Sequence, residues 1–396
     1  MSNFGLPDAP ETVQGEGVTY FDHNATGPLH PAARAAWLEA AERFPGNPSS
    51  PHRLGHRAEA VLGAARDRLA GFLGGHPDEL VWTSGATESA NTVWHHLAAT
   101  LDPAAEVWVP PIEHPCVLRP AEALFGPRVR HWPVTREGVV DLTWLSGALS
   151  RNRPGAIAVM AANHETGVLQ PWNEVLALAR MHGVPVFVDA TQWAGRLAGQ
   201  GLGEADFVAA SAHKFGGPKG VGFLKCPGRG RVMPLLVGGP QESGRRAGTE
   251  NVPGVLAMLA ALEVHEWNLV AGGAEERLAW RTAFEERLVE ALPETVIVGA
   301  ASQRLWNTVA ALLPSADARS RWVVKLDKLG FPVSTGSACA SGREEPSPGL
   351  EAMGYSPAEA GRALRFSAGW ETTAADWDAL LGGLREVAAG FRVGAE

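Results

Sequence analysis

Short apolar runs alternate with longer amphipathic stretches from about residue 32 to Val252. Leu80–Trp82, Glu106–Val109, Ala156–Met160, Val184–Val188 and Phe207–Ala210 are too short for helices and read as strands. Val184–Val188 is apolar at every position and bounded by Gly183 and Asp189, the pattern of a strand buried on both faces of a parallel sheet. Helical stretches such as Ser89–Ala99 lie between the strands. This alternation predicts a parallel α/β sheet. Near Pro253 the pattern changes to a long Ala/Leu/Glu-rich helical region, Val255–Glu290, followed by a smaller α+β portion. Met1–Gly17 is polar and rich in Gly and Pro and reads as a loose arm. No internal repeat interrupts the order.

The apolar runs place chemistry at their ends. The first lysine of the chain is Lys214, and only Lys219, Lys225, Lys325 and Lys328 follow it; every other basic side chain is Arg. A lysine amine can lose its proton and attack a carbonyl, whereas a guanidinium stays charged. Lys214 follows the run ending at Ala210 and precedes the Gly-rich turn Phe215–Gly220. That setting suits a Schiff-base lysine, against the plainer alternative of a surface loop lysine. Asp189 falls at the carboxyl end of its strand, where open α/β sheets bind ligands. A lysine to hold an aldehyde and a carboxylate to keep a ring nitrogen protonated are the pair pyridoxal phosphate requires. Asp189 could equally cap a helix. Upstream, Thr83–Glu88 turns from a strand into a helix with small residues that let backbone N–H groups approach a phosphate.

Composition narrows the classes. The 396 residues suffice for two domains with sizeable cores, and 45% hydrophobic with 19% charged residues is globular. A net charge of −9 and the lack of a basic run argue against nucleic acid. No segment is long and apolar enough to span a bilayer, and the N-terminus lacks a signal pattern. Three cysteines make no disulfide framework, so a reducing cytoplasm is the expected compartment.

Thr83–Glu88, Glu113-His114, Asn163–Gly167, Val188–Gln192, Ser211–Gly220 and Arg246–Thr249 occur in an order that resembles the class V aminotransferase superfamily. Ser334–Ser341 narrows the resemblance to the cysteine desulfurases of the NifS/IscS-like group. It runs from about Tyr20 to about Thr373, and the ordered set is far more specific than any one motif. It implies the fold type I of pyridoxal-phosphate transferases, an α/β fold with a large domain of mostly parallel sheet and a smaller α+β domain. Residues 1–17 would form an arm, 32–258 the large cofactor-binding domain, and 18–31 with 259–396 the small domain.

The resemblance also implies roles. Lys214 would hold the cofactor aldehyde and Asp189 the ring nitrogen. His114 would stack on the ring and shuttle protons. Gln192 would contact the ring hydroxyl. Ala86 and Thr87 at the helix start, with Ser211 and His213, would hold the phosphate. Thr249 would reach the phosphate of the neighbouring subunit, which implies a homodimer. Arg365 would grip the carboxylate of L-cysteine with its bidentate fork. Cys339, set among Gly336, Ser337, Ala338 and Gly342, would attack the substrate sulfur and leave as a persulfide. The products would be L-alanine and sulfur passed to an acceptor protein or small thiol, as in iron–sulfur cluster assembly. Cys116 and Cys226 lack such a setting and read as buried structural residues.

Two positions depart from the pattern. His164 stands where the family usually has an Asn that touches cofactor hydroxyl and substrate, and an imidazole is bulkier and titrates. Gly27 replaces a common Thr, which still permits a tight turn. Three alternatives are set aside. Ser211–Lys214 fits S-x-x-K, but the S-D-N and K-T-G triplets of penicillin-binding enzymes do not occur. His52 and His56 lack a third metal ligand, so no metal is expected. The 14 Trp mostly occupy core-like positions. A C–S lyase or aminotransferase of the same fold would need Lys214 and Asp189 but not Cys339. A silent relative would show damaged cofactor residues, and only His164 departs.

Overall fold

The computed structural model describes residues 17–228, 232–314, 319–335 and 346–393. Its strands are β1 (Leu80–Thr83), β2 (Val107–Trp108), β3 (Val129–Arg130), β4 (Ala156–Met160), β5 (Val186–Asp189), β6 (Phe207–Ser211), β7 (Gly222–Lys225), β8 (Val296–Ile297), β9 (Thr308–Leu312) and β10 (Ala363–Ser367). The helices that matter for the site are α1 (Pro31–Arg43), α2 (Arg53–Leu73), α3 (Ala86–Thr100), α4 (Pro115–Phe125), α5 (Leu142–Leu149), α6 (Trp172–Met181), α7 (Val252–Val270) and α8 (Gly273–Ala291).

The first seven strands form one sheet in the order β1-β7-β6-β5-β4-β2-β3. The strands β3, β2, β4, β5 and β6 run parallel, as the alternation of short apolar runs with helical stretches predicts. The pleat sends successive residues to opposite sides. Ile157, Val159, Val186 and Val188 enter one core, while Ala156, Ala158 and Phe187 enter the other. Trp94, Trp108 and Trp132 are fully buried, which answers the tryptophan count by packing. The second sheet, β10-β9-β8, is antiparallel and packs around Phe21, Phe284, Phe366 and Trp377. Residues 19–23 lie along it, with the Phe21 N–H donating to the Pro332 carbonyl and the His23 N–H to Ser367.

Two details differ from the sequence expectation. Within the mostly parallel sheet, Gly222–Lys225 forms β7, which is antiparallel to both β1 and β6. Ten residues separate β6 from β7, too few for the crossover a parallel partner needs. Those ten residues carry Lys214. The helical region after Pro253 is also two helices, α7 and α8, bent by 77°. Gly272, at φ 77°, supplies the left-handed conformation at the break. Pro253 sits in the first turn of α7, where its missing N–H costs nothing, and Asn251 caps the turn by accepting from the Gly254 N–H.

Candidate active site

A cavity of about 220 Å³ opens beyond the carboxyl ends of β4, β5 and β6. Asp189 ends β5 and pairs across the sheet with Met160 and Ala209. It is buried, and its Oδ1 accepts from the Thr191 N–H at 2.9 Å. Lys214 enters from the β6–β7 connection. Its Nζ donates to the carbonyls of Asn24 (2.7 Å) and Ala25 (2.9 Å). Gln192 Nε2 donates to the same Asn24 carbonyl at 3.0 Å. The segment 24–25 therefore positions the lysine, a role no local motif announced.

The turn before α3 forms the other end of the cavity. Gly85 has φ 150°, and a Cβ there would lie 3.0 Å from Ser211 Oγ. The Ala86 N–H donates to Ser211 Oγ at 2.7 Å, which ties the helix start to the end of β6. Thr87 and His213 complete this end. His213 Nδ1 lies 3.2 Å from Thr26 Oγ1. Burial, with Lys214, Lys219 and Arg196 nearby, pushes the His213 imidazole down to about 4, so it is neutral at neutral pH. Glu88 accepts from the Ser84 N–H and pairs with Arg246 at 3.0 Å, which anchors the segment carrying Thr249. Thr249 itself is exposed and does not line the cavity of its own chain.

His114 precedes α4 and caps it, its Nδ1 accepting from the Cys116 N–H at 3.1 Å. Its ring meets that of His164 edge to face, with centroids 5.0 Å apart. Burial lowers the His114 pKa, Asp189 works against that shift, and Lys214 adds to it. Burial also holds His164 well below the usual imidazole range, with His114, Arg365 and Lys214 acting in the same direction. Glu113, next to His114 in the chain, is buried and accepts from the Met160 N–H. Burial, then Asp189, raises its carboxyl well above the usual range, so it favours the proton.

The structure thus brings together Ala86, Thr87, His114, His164, Asp189, Gln192, Ser211, His213 and Lys214. Arg365 lies just behind, in β10. Its Nη1 donates to the His164 carbonyl at 3.0 Å and its Nη2 pairs with Asp22 at 2.6 Å. Cys339 lies outside the described residues. Cys226 is buried, and burial raises its thiol to about 11. Cys116 corrects the sequence expectation. It is half-buried and lines the cavity, because the cap at His114 turns the start of α4 toward it. The string His114-Pro115-Cys116 was the signal available. His52 caps α2 by accepting from the Gly55 N–H, which gives it a structural task. No cluster of metal ligands occurs among the described residues.

The lining fits a flat polar ring with a phosphate. Among the described residues, His164 Nδ1, Thr191 Oγ1 and Gln192 Oε1 are buried without hydrogen-bond partners, and all three residues face the cavity. Buried polar atoms left unpaired are costly, so such a set marks where a polar ligand completes the bonding. Asp189, Lys214 and the helix start at Ala86 line the same cavity.

Comparison with known proteins agrees with this geometry. Residues 19–380 match the class-V aminotransferase family. A cysteine desulfurase of Klebsiella pneumoniae is 37% identical, over 88% of this chain and 87% of the relative. The solved structure of a NifS-like protein superposes with a TM-score of 0.86 at 30% identity, covering 94% of this chain and 100% of that one. SspA, solved in complex with cysteine, superposes at 0.77 with 28% identity, over 88% and 98% of the two chains.

Proposed function

The chain belongs to the class-V aminotransferase family, among its cysteine desulfurases, and on that premise we propose how its residues divide the work. The enzyme uses pyridoxal phosphate to convert L-cysteine to L-alanine, leaving the sulfur as a persulfide. Bound in the cavity, the cofactor supplies an aldehyde for amine capture and a ring that accepts electrons. Lys214 is the attachment point, held in place by the Asn24 and Ala25 carbonyls. Asp189 would keep a proton on the ring nitrogen. Ala86, Thr87, Ser211 and His213 hold the phosphate, and His213 does so as a neutral imidazole. Gln192 would contact the ring hydroxyl. His114 would pack on the ring. Its Nδ1 accepts from the Cys116 N–H, so in the neutral ring Nε2 carries the hydrogen. Arg365 receives the substrate carboxylate, and Cys339 takes the sulfur. The acceptor is a protein or small thiol, and the setting is a reducing cytoplasm, where the Cys339 thiol stays reduced between turnovers.

The observation that carries this assignment is the convergence of Lys214, Asp189, His114 and the Ala86 helix start on one cavity. The purified holoenzyme, given L-cysteine and a reducing thiol, should release alanine and sulfide in equal amounts. Pyruvate and ammonia in place of alanine would instead indicate a lyase.

Thr249 is exposed in its own chain, on a segment that Arg246 fastens to Glu88 near the phosphate end. The proposed active unit is therefore a homodimer in which Thr249 reaches the partner's phosphate. Sedimentation at assay concentration should give a dimer, and Thr249→Ala should weaken cofactor retention. A fully active monomer would refute it.

A further inference from the structure

On the desulfurase reading above, L-cysteine arrives with its amine protonated at neutral pH. That nitrogen must lose a proton before it can attack a carbonyl carbon. A base in the cavity beside Lys214 lets the abundant ammonium form of the substrate react directly. His164 lines that cavity, and its Nδ1 is buried without a partner among the described residues. Its Nε2 lies 3.7 Å from Glu165 Oε1. A hydrogen on Nε2, facing that carboxylate, leaves the lone pair on Nδ1. Glu165 is itself held, accepting from Ser347 Oγ.

The backbone of His164 is equally well fixed. Its carbonyl accepts from Arg365 Nη1 at 3.0 Å and from Asn24 Nδ2 at 3.2 Å. The Asn24 carbonyl accepts from Lys214 Nζ. Asn24 thus ties the attachment lysine and His164 to one anchor. The groups facing His164 are His114 from the start of α4, Lys214 from the β6–β7 connection, Arg365 from β10 and Glu165 from its own turn. Asp22 faces Arg365 from the other side. Burial and the three basic neighbours keep the imidazole unprotonated at neutral pH.

We propose that His164 is a general base of this enzyme, taking one proton at Nδ1 from the ammonium group of L-cysteine as it enters beside Lys214. An N–H bond of the substrate breaks and its electron pair stays on the substrate nitrogen. A new N–H bond forms on the imidazole, and nothing is oxidised or reduced. The positive charge moves to His164, where the Glu165 carboxylate offsets it. The proton returns when the amine of L-alanine leaves as ammonium, so the base is restored each cycle. An amide at this position could hydrogen-bond the substrate but could not carry the proton.

The test compares wild-type, His164→Asn and His164→Gln holoenzymes, with cofactor content and circular dichroism checking that each is loaded and folded. kcat/KM for L-cysteine is measured from about pH 6 to about pH 9. The wild-type profile should fall only on the acidic side of the usual imidazole range. The variants should lose at least roughly tenfold near neutrality. Their kcat/KM should then climb with pH, approaching about tenfold per unit, because only substrate that is already deprotonated reacts. The rate of the cofactor absorbance change on mixing with L-alanine should show the same slope without any sulfur removal. Variants with the wild-type profile, or a wild-type profile that itself climbs with pH, would overturn the proposal. A wild type that makes no alanine from L-cysteine would defeat the desulfurase reading instead, and the L-alanine arm would still decide the role of His164.

Discussion

Replacing Lys214 by arginine should abolish both turnover and the visible absorbance of the bound cofactor. The substitution keeps a positive charge and a long side chain. It removes the one property that matters, an amine that can deprotonate and form a covalent bond. Two carbonyls, those of Asn24 and Ala25, hold the Lys214 amine, and the forked guanidinium does not reproduce that single-point geometry. Turnover should fall by at least roughly a thousandfold, about 4 kcal/mol in barrier height. Absorbance spectra and alanine release measure the two effects separately. A Lys214→Arg protein with normal turnover would remove the attachment chemistry from this account.

Changing Cys339 to serine should give the opposite separation, a coloured enzyme that no longer releases alanine. A thiol ionises near neutral pH and its sulfur is an excellent nucleophile, whereas a serine hydroxyl is hardly ionised there. Binding of L-cysteine should still change the spectrum, since amine capture uses Lys214 and the cavity rather than the thiol. Alanine release should drop by roughly a hundredfold or more, and no persulfide should appear on the peptide carrying residue 339 by mass spectrometry. Cys226→Ser should leave turnover largely intact, because Cys226 is buried in the core with a thiol raised to about 11. Cys116→Ser serves as the more stringent control, as Cys116 lines the cavity. Normal turnover in Cys339→Ser would move sulfur removal to another group and favour a lyase or aminotransferase.

The sequence by itself determined the strands β1, β2, β4, β5 and β6 and what stands at the ends of β5 and β6. Val186–Asp189 is legible because a strand buried on both faces must be apolar throughout, and its first polar residue then marks the sheet edge. The same logic exposed Lys214 after β6 and the small-residue turn before α3. It did not reveal the antiparallel β7, since strand direction depends on the length and path of the connection. Nor did it reveal that a glycine would break the helical region at residue 272. Only the tertiary structure decided that Asn24 holds Lys214, that Asp22 pairs with Arg365, that Cys116 faces the cavity, and that His164 meets His114 and Glu165. Asn24 and Lys214 are 190 residues apart, and Asp22 and Arg365 are 343 apart. Periodicity and local motifs report on neighbours within a turn or a strand. Contacts across such separations exist only after the core has closed and brought residues 22–25 against the carboxyl ends of the sheet.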